Sequence, residues 1–129
     1  MSEIDEKNKI DFSDITKDDI VNAIKKYDEL EKNDQVNKNR MNRSYSLFYR
    51  SKEYPHKYIV GIAYGLKNNQ ETLDNNLYNA TGNHKRSAEW CINNVGLELF
   101  AGEKYKNYLE QHYSNINTSN TYYTDLRTS

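Results

Sequence analysis

Lys57 is the residue whose position most suggests chemistry. It follows Pro55 and His56 at the head of an apolar run, in the first turn of a predicted helix. Exposed N–H groups and an ammonium there suit a phosphate or carboxylate. Lys57, Gly61 and Tyr64 fall at i, i+4 and i+7, so the amine can lie across the glycine beside the ring. The plainer alternative is an ion pair with Glu53, or a stem packed over Gly61; such surface pairs are common and weak. The surrounding segment, residues 36–57, holds Lys38, Arg40, Arg43, Arg50, Lys52 and Lys57 against Glu53 alone, interleaved with Tyr45, Phe48, Tyr49 and Tyr54. Cations for phosphates among rings for bases are the chemistry of nucleic-acid contact. The expected phosphate or anion contacts are Arg40, Arg43, Arg50, Lys52 and Lys57, and the expected stacking residues are Phe48, Tyr54, Tyr64 and Trp90. An outward-facing strand edge rich in Lys and Arg is the competing explanation of the same segment. Trp90 points off the apolar face marked by Ala88, Ile92 and Val95, toward Arg86, Asn93 and Asn94. There it could stack a base or anchor a partner. Cover by a C-terminal helix is the alternative, since Trp is usually largely buried.

Other chemistries find no constellation. His56, His84, His112 and Cys91 share no helical ligand spacing, so no metal is expected. No Gly-rich phosphate loop, nucleophile elbow or Cys/His dyad occurs. Asp18 and Asp19 form a carboxylate pair, but helix capping explains them. The expectation is a non-enzymatic protein without cofactors. No apolar run approaches the roughly 20 residues of a membrane span, and the N-terminus has no signal-peptide pattern. One Cys cannot make an intrachain disulfide, so a cytoplasmic setting is expected.

The elements that must position these residues are modest. At 129 residues with 36% apolar content, one domain with a small core is expected. The 12 Tyr supplement that core, and 18 Asn favour caps, turns and loops. Residues 1–12 read as a charged, disordered tail. Thr16 as N-cap, with Ile20, Ala23, Ile24, Tyr27 and Leu30 at helical spacing, predicts a helix from Lys17 to Lys32, ending at Asn33. Asp34 to Asn42 read as a short helix or an irregular loop. Period-two alternation predicts a strand from Ser44 to Arg50, and Ser51 to Glu53 a turn. Pro55 at the first helical position opens a short buried helix through Leu66. Gly61 within it costs about 1 kcal/mol against Ala, which points to close approach of another backbone; Gly65 reads as a terminator. Residues 67–82 are an Asn-rich connection pinned by Leu73, Leu77 and Tyr78. A helix is predicted over Asn83 to Asn94, stopped by Gly96. A short strand over 97–100, a last helix over about 102–113 and a flexible tail over 114–129 complete the chain. This order implies a small α+β domain over residues 13–113, about four helices with a two- or three-stranded sheet.

The run Tyr54-Pro55-His56-Lys57-Tyr58-Ile59-Val60-Gly61-Ile62-Ala63-Tyr64 resembles a signature of the N-terminal head domain of ScoMcrA-like HNH restriction endonucleases, a type IV group. Asp14-Ile15-Thr16 before a helix ending near Tyr27, and Val95-Gly96-Leu97-Glu98-Leu99, resemble its flanking pieces. The resemblance covers roughly residues 14–100, with Leu97 where members commonly have Phe. It implies a restriction-associated, DNA-linked accessory module of phage defence without the nuclease. Net charge is −1, yet residues 1–31 carry ten acids and five Lys, a balance of −5, against +5 over residues 36–57. That contrast supports two partners: DNA or another nucleic acid on the basic stretch, or a protein of a host or phage defence complex, regulated or inhibited through Asp18, Asp19, Asp28, Glu29 and Glu31. A nucleotide-like small ligand at the Lys57 helix start is a third expectation.

Overall fold

Thr16 starts the first helix, α1 (Lys17–Lys32), through a capping box. Its hydroxyl accepts from the Asp19 N–H at 3.1 Å, and the Asp19 carboxylate accepts from the Thr16 N–H at 2.9 Å. Two N–H groups without intrahelical partners are thereby satisfied. Ile20, Ala23, Ile24 and Tyr27 form the buried stripe. The computed structural model describes residues 10–40, 45–50 and 52–113. The expected tails at 1–9 and 114–129, and the candidate cation Arg43, lie outside the described residues.

A 3-10 turn (Lys38–Arg40) leads to strand β1 (Ser46–Tyr49) and strand β2 (Lys52–Tyr54). They pair antiparallel with Leu47 opposite Tyr54 and Tyr49 opposite Lys52. Residues 52–53, expected as a turn, are therefore strand; the run was too short and polar to show its period. Helix α2 (His56–Lys67) follows with Pro55 at the N-cap, one position earlier than expected. Burial of His56, Tyr58, Ile59, Val60, Gly61, Ile62, Ala63 and Gly65 makes α2 the central helix, apolar nearly all round. After a second 3-10 turn (Asn75–Leu77), helix α3 runs over Ala88–Asn94, strand β3 over Leu99–Phe100 and helix α4 over Gly102–Tyr113. Sheet order is β2-β1-β3, all antiparallel. The chain is thus a small α+β domain, with four α-helices and a three-stranded sheet among the described residues. No described helix is long and apolar enough to cross a membrane.

Sequence alternation sorts the sheet's faces. Leu47, Tyr54 and Leu99 point to the core shared with α1, α2 and α3. Phe48 and Phe100 lie on the other face, ring centroids 5.4 Å apart and edge to face. Three expectations need correction. The charged tail does not extend to residue 12: Ile10 and Phe12 are core residues, and Phe12 meets the Tyr64 and Tyr78 rings edge on. Helix α3 starts at Ala88, not Asn83, because Ser87 is its cap and accepts from the Trp90 N–H at 3.0 Å. Gly65 does not end α2, which runs on to Lys67, while a second backbone does approach Gly61, whose carbonyl accepts from the Leu73 N–H at 3.1 Å. Gly61 also faces the Tyr78 hydroxyl and Arg40, and Gly65 is pressed against the backbone at Gln70 and Glu71.

Candidate nucleic-acid interface

The basic stretch and the acidic helix meet each other. Lys52, on the core-facing side of β2, reaches Asp28 at 2.9 Å and Glu31 at 2.6 Å on α1. Burial works against the Lys52 ammonium, but the Glu31 and Asp28 carboxylates outweigh it and raise its pKa. The Tyr54 hydroxyl donates to the Asp28 carboxylate at 3.0 Å, and its ring packs edge to face with Tyr27. Burial and then Asp28 push the Tyr54 pKa up. At 3% exposure Tyr54 offers no face to a base. Lys52 and Tyr54, expected as phosphate and stacking residues, are committed to the domain's interior.

Arg40 is turned inward as well. Its Nη1 donates to the Leu73 carbonyl at 3.1 Å and its Nη2 to the Tyr78 hydroxyl. The guanidinium lies 4.8 Å from the Tyr58 ring centroid and 5.9 Å from that of Tyr78. Its Nε is buried without a hydrogen-bond partner among the described residues. The Tyr78 hydroxyl donates in turn to the Lys57 carbonyl at 2.7 Å, and the Lys57 ammonium sits 5.0 Å from the Tyr78 ring centroid. The ring beside Lys57 and Gly61 is therefore Tyr78, not Tyr64. Burial raises the Tyr78 pKa against the opposing pull of Arg40. This cluster ties the 38–40 turn and the 67–82 connection to α2. Tyr64 is half-buried against Phe12, so its ring is partly spent on packing.

Arg50 is placed differently. Tyr49 opposite Lys52 is the last strand pair, so Arg50 opens the hairpin's two-residue turn. Its φ is 51° and its side chain is exposed, with the guanidinium 5.3 Å from the Tyr49 ring centroid. Among the described residues it meets no carboxylate. Of the expected stacking residues, Phe48, Tyr64 and Trp90 remain partly accessible, with Phe48 packed against Phe100 as Tyr64 is against Phe12.

Trp90 sits in a cleft of about 220 Å³ with Gly82, Asn83, Glu89 and Asn93. Gly82 in its wall is held on both sides. Gly82 donates its N–H to Glu89 Oε1 at 2.9 Å, and the Ser87 hydroxyl donates to the Gly82 carbonyl at 2.6 Å. Gly82 has φ +128°, and a Cβ there would stand 2.9 Å from His84 Nε2. Glu89 and Asn83 escaped the sequence reading; the outward Trp90 was its only pointer to them. His56 is buried with Nε2 2.9 Å from the Ala80 carbonyl, and burial lowers its pKa. Cys91 is fully buried and its thiol is pushed up to about 12 by that burial, leaving it unreactive in the folded state. No three His, Cys, Asp or Glu side chains gather in a metal-holding group among the described residues.

The family model of the ScoMcrA-like, N-terminal head domain matches residues 13–98, about two-thirds of the chain. The match runs from before α1 to just before β3 and includes Arg50, Lys57 and Trp90. No curated protein and no solved structure matches the chain.

Proposed function

The chain belongs to the ScoMcrA-like N-terminal head domain family, and from that premise we propose that it is a non-catalytic, nucleic-acid-associated binding module of restriction and defence systems. Its phosphate contact is the tip of the β1–β2 hairpin. One observation carries this reading: an exposed arginine, Arg50, occupies a turn position with φ 51°. Two-residue hairpin turns favour Asn, Asp or Gly at such angles. A left-handed L-residue costs on the order of 1 kcal/mol, and a strained residue kept at a surface tip points to use. Lys52, two residues on, is neutralised by Asp28 and Glu31, so among the described residues the cation available at this end is Arg50. The same pairing weakens the acidic face of α1 as a docking surface for a basic protein.

Mobility shifts with duplex and single-stranded DNA over a salt series test the proposal. Phosphate contacts release counterions, so affinity falls steeply with salt. Arg50→Asn fits the turn better than arginine, so it keeps or raises Tm. It is expected to weaken binding of every sequence and reduce the salt slope by about one. Lys52→Ala is expected to leave the slope unchanged. No retardation of either DNA at low salt refutes the proposal. So does loss of partner binding only on charge reversal of Asp18 and Glu29, an outcome that assigns a protein partner instead.

A further inference from the structure

We propose that the Trp90 cleft is a binding site for one amino-bearing nucleobase, adenine, cytosine or guanine, read by its hydrogen-bonding edge. The inference deepens the nucleic-acid reading above but does not depend on the hairpin contact, because it concerns a base and not a phosphate.

Size comes first. Pockets for drug-sized ligands usually measure about 300–1,000 Å³; about 220 Å³ suits one heterocycle better than a whole nucleotide. Chemistry comes second. The indole of Trp90 supplies a stacking surface of the kind single-stranded nucleic acids use. Glu89 spends Oε1 on the Gly82 N–H, and its other oxygen takes no hydrogen bond from the described residues. The Asn83 and Asn93 amides likewise have no protein partner among the described residues. Each offers a donor and an acceptor side by side. A carboxylate repels phosphate and accepts from an exocyclic amine, as acids do with cytosine, while an amide can pair two ways with adenine. Uracil and thymine present a carbonyl where the amine would be, opposite the carboxylate. Preorganisation comes third. Gly82 is bonded on both sides, to Glu89 and to Ser87, so the loop wall is held in place without a ligand.

Trp90 is the chain's single tryptophan, so its fluorescence reads this cleft alone. The full chain would be titrated with adenosine, cytidine, guanosine and uridine, and with short oligo-dA and oligo-dT. The expected result is a saturable change with adenosine, cytidine or guanosine and about tenfold weaker binding of uridine. Glu89→Gln can still accept from Gly82 but adds a donor, so it is expected to narrow or invert that preference. Asn93→Ala, at an exposed position, is expected to weaken adenosine, cytidine or guanosine binding severalfold with Tm unchanged. A response to oligo-dA without one to free nucleosides identifies a base carried on a strand. A response to both admits the free nucleoside as well. Arg50→Asn leaves the nucleoside titration unaltered, so failure of the hairpin contact and failure of the cleft are separable. No saturable change with any nucleoside or oligonucleotide into the millimolar range overturns the inference. Equal responses to all bases that persist in Glu89→Gln and Asn93→Ala overturn it too.

Discussion

Replacing Gly61 by Ala sets two effects against each other. Alanine is the better helix former by about 1 kcal/mol, and Gly61 lies in the interior of α2. Yet a Cβ there would overlap the Tyr78 hydroxyl and stand 3.0 Å from Arg40 Nη2. Tyr78 cannot swing aside cheaply: its side chain is buried, its ring meets Phe12 at 5.5 Å, and its hydroxyl bonds the Lys57 carbonyl and Arg40. Displacing that hydroxyl forfeits one neutral hydrogen bond, about 1 kcal/mol, and one to a charged group, about 2 kcal/mol. Against the helix gain the net is a loss of roughly 2 kcal/mol, or about 10 °C in Tm for a domain of this size. Urea denaturation measures it. The diagnostic arm is the double variant. Tyr78→Phe has already given up both bonds and removed the overlapping oxygen. Adding Gly61→Ala to it should therefore be neutral or slightly stabilising, a coupling of roughly 2–3 kcal/mol. Gly65→Ala is the control, since its Cβ would overlap the Glu71 carbonyl oxygen and lie 2.8 Å from the carbonyl carbon; Tyr78→Phe should not rescue it. A stabilising Gly61→Ala, or the same cost in both backgrounds, would refute the reasoning.

Two further outcomes follow from the charges. Lys52→Ala should cost roughly 1 kcal/mol at low salt and less at high salt, because Asp28 and Glu31 are 44% and 40% exposed and screened by solvent. A salt-independent cost would mean that the stem, and not the ion pair, matters. Burial lowers the His56 pKa beneath its ordinary 6.5, so the folded state holds the neutral ring while the unfolded chain protonates first. Its contribution is whole above about pH 6.5 and declines as pH falls, by at most about 1.4 kcal/mol per unit. Tm scans from neutral to mildly acidic pH should slope accordingly in the native chain and less so in His56→Gln; equal slopes would contradict this.

Much of the fold is legible from local signals. Thr16, Asp19 and the Ile20–Tyr27 stripe fix α1 because cap and stripe act within a few residues of each other. Gly96, with φ +85°, follows α3 for the same local reason. The start of α3 was not legible. Asn83 and Ser87 are both good caps, and what decides is tertiary: the Phe12 N–H bonds the Lys85 carbonyl at 2.9 Å and the Glu89 N–H bonds the Ala80 carbonyl at 3.0 Å. Those bonds hold the loop in a non-helical path. The role of Gly65 is not legible, because spacing marks a glycine as needed without naming what approaches it, here the backbone at Gln70 and Glu71.

The charge contrast carries the larger lesson for the site. Counted by type, Arg40, Arg50, Lys52 and Lys57 are equivalent cations. Folding makes them unlike by pairing residues far apart in sequence: Lys52 with Asp28 and Glu31, Arg40 with Leu73 and Tyr78. A cation already held by a carboxylate gains little from a phosphate, since the new contact must first break the old one. A guanidinium bonded to a carbonyl and a tyrosine must abandon the core to reach a ligand. Among the described residues, Arg50 forfeits only its contact with the Tyr49 ring. Of these four cations, Arg50 at the hairpin tip is the one we propose for phosphate contact, and Lys52 and Arg40 are not. The Trp90 cleft carries a complementary chemistry: polar groups with unused hydrogen-bonding capacity around an aromatic wall. On the two proposals together, the hairpin cation would take the backbone and the Trp90 cleft a base, the division by which nucleic-acid-binding proteins separate affinity from selectivity.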